Sequence, residues 1–326
     1  MTEKIVRWGF IGAGGIAMTA LGPAIAGARN ARLHAVAARD INRAQDLVDR
    51  FGGSVAYGSY EELVADPDVD AVYISLSNEN HKPWSLAALA AGKHVLCEKP
   101  LAMNATEVEE MTAAAKAAGR LLVEASWYRW HPRTQAAELL VADGAIGRIT
   151  NVDSVFAIDG VAPDNFRWEP ARGGGAFYDV GCYAVSAALW AFGAQEPTQV
   201  TARVVDAPSG VDIVTDATIA FAGGGTAHVY GGMQEPERQT IVITGEAGSI
   251  TFEFPAFGAT SEVPTALVVA TTNGQVRVEF PPVDAYRLML EAMSDAINGE
   301  HAWLLPLSQS LTVAQIIDAA FAAGRS

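Results

Sequence analysis

Residues 5–17 read Ile-Val-Arg-Trp-Gly-Phe-Ile-Gly-Ala-Gly-Gly-Ile-Ala, and the architecture follows from how that stretch is interpreted. An apolar run over 5–11 passes into Gly12-Ala13-Gly14-Gly15-Ile16-Ala17, which fits the spacing GxGxxA. In a strand-to-helix turn of this kind Gly12 permits the tight reversal, Gly14 lets backbone approach a pyrophosphate, and Ala17 keeps the helix close to the sheet. The amides at the helix start, around Gly15 and Ile16, then face the phosphates. Any tight turn can recruit glycines, so the neighbouring segments decide. Apolar runs recur at 33–38, 71–75, 94–97 and 121–123, separated by Ala- and Leu-rich stretches at 43–51, 60–65, 84–91 and 105–118. Strands that are apolar throughout, spaced by helices, predict a doubly wound parallel sheet covered on both faces. Asn104 and Glu107 read as the N-cap and early acid of the helix at 105–118, and Gly119 as its stop.

Beyond about residue 124 the pattern changes. Longer alternating runs at 215–221, 227–230, 240–244, 249–254, 267–270 and 275–280 are divided by the turn signals Gly223-Gly-Gly225, Gly245-Glu-Ala-Gly248 and Asn273-Gly274. They predict an open, mainly antiparallel sheet, followed by helices at 284–297 and 308–322. The expected architecture is an α/β Rossmann domain over 1–123, then an α+β domain over 124–326 that binds substrate and oligomerises. A chain of 326 residues suits two domains, because single cores rarely grow past about 250–300 residues.

Thirty-seven acidic against 22 basic side chains give a formal charge of −15, which repels nucleic acid and anionic membranes. A small phosphate ligand needs only a local positive site. With 50% hydrophobic and 18% charged residues, a disordered chain is excluded. Cys97 and Cys182 lie too far apart for a CxxC metal site and read as buried thiols in a reducing compartment. The N-terminal stretch lacks the apolar core of a signal peptide, and no run reaches about 18 uninterrupted apolar residues. The expectation is a cytoplasmic protein with neither a membrane nor a nucleic-acid partner. His228 and His301 stand alone, and no metal site is expected.

The end of the second predicted strand meets the adenosine ribose of a bound dinucleotide about 20 residues beyond the glycine motif. Here it reads Val36-Ala37-Ala38-Arg39-Asp40. An acid at position 38 would grip both ribose hydroxyls and repel a 2′-phosphate. Ala38 leaves room, and Arg39 can pair with phosphate or stack on adenine, so NADP is preferred to NAD. Asp40 reads either as the next helix's N-cap or as a ribose ligand.

Cys97-Glu98-Lys99-Pro100 follows the fourth predicted strand, with Gly173-Gly-Gly175 and Asp179-Val-Gly-Cys-Tyr183 downstream. Together with GxGxxA, these motifs resemble the glucose–fructose oxidoreductase / inositol dehydrogenase / rhizopine-catabolism (Gfo/Idh/MocA) family over essentially the whole chain. Tyr183 stands where many members carry His. With Tyr128-Arg129-Trp130-His131-Pro132 and Asn165-Phe166-Arg167, it resembles the branch of glucose–fructose oxidoreductase, D-xylose dehydrogenases and dimeric dihydrodiol dehydrogenase. The resemblance implies an NAD(P)-dependent enzyme acting on CH–OH groups of a sugar or related polyol, assembled as a homodimer or homotetramer. It implies a catalytic trio of Lys99, Tyr183 and Asp179, and a cis bond at Lys99-Pro100. Ser75, Asn78, His81, Glu98 and Lys99 would line the cofactor, and Arg129, His131 and Arg167 the substrate. Leu76-Ser77 departs from the small-residue–Pro pair that relatives carry before Asn78. Reduction of a nucleotide-linked keto-sugar, or oxidation of a trans-dihydrodiol, would use the same motifs. A cofactor-binding regulator without turnover would be expected to lose Lys99 or Tyr183, and both are present.

The trio also makes chemical sense by itself. Taking a hydride from a carbinol requires a base for the hydroxyl proton. A tyrosine with a pKa of about 10 is a poor base near neutrality unless a cation stabilises its phenolate. Lys99 is that cation, at a strand's C-terminal end, where ligands of open α/β sheets bind. Asp179 precedes Tyr183 by four residues, which is one face of a helix, placed to orient substrate or relay the proton. A sheet packed by helices on one side leaves its other face exposing too much apolar surface for a monomer, which predicts self-association through the sheet built from residues after about 149.

Overall fold

Six strands, Val6–Ile11 (β1), Ala31–Ala37 (β2), Val55–Tyr57 (β3), Ala71–Ile74 (β4), His94–Cys97 (β5) and Leu122–Glu124 (β6), form a wholly parallel sheet in the order β3-β2-β1-β4-β5-β6. The computed structural model describes residues 4–258 and 262–325. Strand order reverses between β1 and β4, the point at which doubly wound sheets bind ligands. β4 is buried along its whole length and β1 everywhere except Arg7, as an inner position with helices on both faces requires. β3 lacks an apolar-run signature: it is three half-buried residues at the sheet edge, between Gly52-Gly53 and Gly58. Gly119 ends the helix Ala105–Ala118 in the left-handed region, φ +60°.

Two compact units divide the chain, and the division is not a single cut. The first holds residues up to Ala102, Thr106–Trp127 and Asp284–Leu307; the second holds Met103–Ala105, Tyr128–Val283 and the residues from Ser308. The helix Ala285–Ile297 therefore lies with the parallel sheet, although a boundary at 123/124 separates them in sequence. Specific contacts account for this. Trp8 Nε1 donates to Ser294 Oγ (3.1 Å), and Asn30 Nδ2 donates to Glu291 O (2.9 Å) and Asp295 Oδ1 (2.6 Å). Met289, Leu290 and Met293 are buried on the same helix.

The second unit contains Ile149–Ile158 (β7), Pro197–Asp206 (β8), Asp212–Phe221 (β9), Thr226–Met233 (β10), Arg238–Gly245 (β11), Gly248–Phe252 (β12), Thr265–Thr271 (β13) and Gly274–Phe280 (β14). Their order is β14-β13-β12-β11-β7-β10-β9-β8, with every pairing antiparallel except β7 with β10. One face buries Val152, Ile219, Ala227, Val229, Ile241, Ile243 and Ile250. The helix Cys182–Ala191 packs against β7 and β10, with all ten of its residues buried. It continues the π turn Phe177–Gly181, and a Cβ at Gly231 of β10 would come within 2.9 Å of the Gly181 Cα. The opposite face is more polar than expected of an apolar contact surface, with Asp153, Asp216, Thr218, Thr226, His228 and Thr240 in register across it. His228 lies between Asp153 (2.7 Å) and Asp216 (2.9 Å), which raise its pKa against the opposing effect of burial. Exposed apolar side chains occur instead on the edge strand β14, at Val276 and Val278. Among the described residues, no helix is long and apolar enough to cross a membrane.

Candidate active site

The glycine turn sits at the C-terminal end of β1. Gly12 has φ +106° and donates its N–H to Ala37 O (2.9 Å), and a Cβ there would come within 2.8 Å of Ser75 O. Only glycine tolerates both conditions. Ser75 closes the other side, its N–H on Ile11 O (3.0 Å) and its Oγ on Gly12 O (3.3 Å). A Cβ at Gly14 would meet only Ser75 O, at 3.9 Å, and one at Gly15 would meet nothing within 4 Å. Ile16 is half-buried and Ala17 fully buried, which brings the helix down onto the sheet. The result is an open backbone ledge at a helix start, the form a pyrophosphate needs.

Arg39 is exposed at the end of β2, beside buried Ala38. Asp40 acts as the N-cap of Ile41–Phe51, its Oδ1 accepting from Asn42 N (3.0 Å) and Nδ2 (3.1 Å). Sequence reasoning missed Arg43, whose Nη2 donates to Ala13 O (2.6 Å) and so adds a second cation to the glycine turn. Its signal was its place in the first turn after the cap.

At the ends of β4 and β5 the backbone is tied down. His81 is fully buried, with Nδ1 2.9 Å from Pro100 O and Nε2 3.1 Å from Leu76 O. Burial lowers its pKa, and a neutral ring donates to only one of those carbonyls. Both nitrogens thus face backbone, and the side chain staples the turn after β4 to Pro100. The Lys99-Pro100 bond is cis. Glu98, nearly buried, accepts from Tyr73 OH (2.6 Å) and from the Lys99 N–H (3.3 Å). Asn78 is buried in the short turn Asn78–Asn80, and Lys99 is half-buried.

In the second unit, Tyr183 is 7% exposed on the helix Cys182–Ala191. Its ring lies 5.5 Å from Phe156, 5.6 Å from Phe257 and 5.7 Å from Tyr128, centroid to centroid. Asp179, in the preceding π turn, is held bidentately by Arg167: Nε to Oδ2 at 2.6 Å and Nη2 to Oδ1 at 2.7 Å. With both carboxylate oxygens taken up by Arg167, Asp179 is suited to orienting more than to relaying a proton. Arg167 therefore meets Asp179. Arg129 and His131 lie inside the unit, each 1% exposed. Arg129 donates to Glu138 (2.8 Å) and Gln309 (3.0 Å). His131 caps Pro132–Ala142 by accepting from Arg133 N (3.0 Å), and burial lowers its pKa to about 4. These contacts tie both residues into the framework of the unit. Arg133, also buried, donates to Glu253 O, Pro255 O and Ala256 O, which secures the loop that presents Phe257.

Among the described residues, His34, Asp66 and Asp68 bring potential metal ligands within 4.8 Å of one another. Their contacts are otherwise explained: Asp66 accepts from Tyr57 OH (3.1 Å) and Asp68 N (2.8 Å) and lies 3.1 Å from His34 Nε2, while Asp68 pairs with Arg7.

Residues 6–126 match the model of an oxidoreductase family with an NAD-binding Rossmann fold, and 134–251 match that of the GFO/IDH/MocA C-terminal domain. D-xylose 1-dehydrogenase (NADP(+)) 2 of Haloferax volcanii is 36% identical over 320 residues, 97% of this chain and 96% of that one. Trans-1,2-dihydrobenzene-1,2-diol dehydrogenase of Mus musculus is 36% identical over 280 residues, 85% and 80% of the two chains. The crystal structure of a 3-ketoreductase from Actinomadura kijaniata, in complex with NADP and TDP-benzene, superposes with a TM-score of 0.89 at 28% identity, covering 97% of both chains.

Proposed function

The chain belongs to the Gfo/Idh/MocA oxidoreductase family, and from that membership we propose that it moves a hydride between NADP, in preference to NAD, and a carbinol carbon of a sugar or related polyol. The open ledge at Gly14-Gly15 fits the pyrophosphate, and Ser75, Asn78, Glu98 and Lys99 would lie along the nicotinamide half. When bound, the nicotinamide supplies the hydride acceptor. Tyr183, as phenolate, takes the hydroxyl proton while the carbinol C–H bond breaks and the carbon becomes a carbonyl. Lys99 holds the substrate oxygen and stabilises the phenolate, and Asp179, fixed by Arg167, orients the substrate. The observation that supports this most is the bidentate grip on Asp179, one helical step from a nearly buried tyrosine.

Turnover of aldoses and polyols, D-xylose among them, followed by nicotinamide absorbance tests the proposal. Cofactor binding with no turnover on any of them would favour a regulator instead. The rings of Phe156, Phe257 and Tyr128 around Tyr183 favour a second reading, oxidation of a cyclic trans-dihydrodiol, which belongs in the same panel. The TDP-benzene complex of the Actinomadura kijaniata 3-ketoreductase makes nucleotide-linked keto-sugars the third arm, assayed in the reducing direction.

NADP preference is supported by exposed Arg39, by Arg43 beside the turn, and by the capping role that occupies Asp40. Arg39→Ala should weaken NADP by about 1.5–3 kcal/mol through loss of a charge-assisted bond, and NAD far less. Equal weakening of both cofactors, measured by fluorescence titration, would sink the assignment.

Residues 124–326 supply most of the substrate side and the self-association surface of this proposal, as a dimer or tetramer. Val276 and Val278 on the edge strand β14 support that assembly. Sedimentation showing single chains at micromolar concentration would defeat it. The buried free thiols of Cys97 and Cys182 support a cytoplasmic setting.

A further inference from the structure

Gly173-Gly-Gly175 marks the chain's resemblance yet has no part in the chemistry above. Gly175 has φ +120°, and a Cβ built on it would come within 2.1 Å of Asp212 Oδ1. Asp212 begins β9 and is 1% exposed; its Oδ2 accepts from the Phe177 N–H (2.8 Å) and from the Thr215 hydroxyl (2.8 Å). Phe177 opens the π turn Phe177–Gly181, and the residue before it, Ala176, provides no side-chain cap. The first amides of any helix lack partners within it, so an acceptor must come from elsewhere. Here it comes from a strand far along the chain, and its carboxylate reaches the helix because position 175 carries no side chain. A carboxylate at a helix N-terminus is also favoured by the helix dipole. Burial pushes the Asp212 carboxyl up, and the bonds from Phe177 and Thr215 oppose that shift.

The capped helix carries both Asp179 and Tyr183. We propose that Asp212 is a positioning residue for the reaction: an N-cap supplied by β9 that fixes the start of this helix, and with it the places of Asp179 and Tyr183. This role rests on Tyr183 being the acid/base proposed above.

The experiment compares wild type, Asp212→Ala, Asp212→Asn and Thr215→Val, using the best substrate of the panel with NADP. Amide exchange over residues 176–183 and thermal midpoints are measured alongside. In Asp212→Ala the Phe177 amide should exchange about tenfold faster or more, and kcat should fall about tenfold or more with KM and cofactor Kd nearly unchanged. Asp212→Asn keeps a carbonyl oxygen for that amide and should restore kcat to within about threefold. A cap that serves stability alone would lower Tm and leave the kcat of the folded variant intact, which overturns the proposal. Asp212→Asn falling as far as Asp212→Ala overturns it too. Should Asp212→Ala fail to fold, Thr215→Val, which removes one of the two donors on Oδ2, should lower kcat a few-fold at unchanged KM; wild-type kcat there overturns the proposal. A fully active Tyr183→Phe would bring down the functional reading and this role together. A folded Asp212→Ala with unchanged exchange and turnover would bring down this role alone.

Discussion

Tyr183→Phe should lower turnover by about 10²–10⁴, the usual cost of removing a general acid/base, while leaving the fold and cofactor affinity nearly unchanged. The substitution deletes one hydroxyl and keeps the ring that packs against Phe156, Phe257 and Tyr128. The loss should therefore fall on kcat more than on KM. Alcohol oxidation by the wild type should rise with pH through one ionisation, because in the proposed mechanism only the phenolate accepts the proton, and Tyr183→Phe should lack that limb. Near-wild-type turnover with intact cofactor binding would show that the proton leaves by another route. Asp179 would then be the residue to test next. His131 is a poor substitute: its Nδ1 accepts from Arg133 N, and its Nε2 is buried without a partner among the described residues.

Whether a feature was legible in the sequence depended on how local its cause was. β1, β2, β4 and β5 showed as apolar runs because strands buried on both faces leave no polar alternation. β3 did not, being three half-buried residues with glycines on either side. β8 alternates half-buried and exposed positions and carries Thr, Gln and Arg, so its composition reads as surface. The parallel pairing of β7 with β10 was beyond reach, because periodicity along a strand says which face is buried and nothing about the direction of its neighbour. The helix Cys182–Ala191 is apolar on every side, which erases the 3.6-residue stripe that marks a surface helix. Motifs singled out Lys99, Asp179 and Tyr183 as candidates, but their partners are set by tertiary packing. Arg167 reaches Asp179 from a turn twelve residues earlier, and Asp212 caps Phe177 from another element altogether. Arg129 and His131 belong to a legible motif whose side-chain directions were not legible, and packing turned both inward.

Lys99→Ala should be at least as damaging as Tyr183→Phe, since in the proposed mechanism Lys99 supplies both the contact to the substrate oxygen and the charge that stabilises the phenolate. The backbone there is anchored independently of the ammonium group. The Lys99 N–H donates to Glu98, Glu98 is held by Tyr73 OH, and the Pro100 carbonyl faces His81. Truncating the side chain thus leaves the turn in place, and cofactor binding should survive well enough for kcat to be read. Without the cation the tyrosine is harder to ionise, so the residual activity of Lys99→Ala should rise with pH through a limb displaced to higher values. Restoring a positive charge with Lys99→Arg should bring that limb back towards its original position, although the planar guanidinium is a poor geometric copy of an ammonium. If Lys99 and Tyr183 act as a unit on one hydroxyl, the double variant should be scarcely slower than the poorer single one. Losses that multiply instead would mean that the two groups act on separate steps, and the phenolate would need another source of stabilisation.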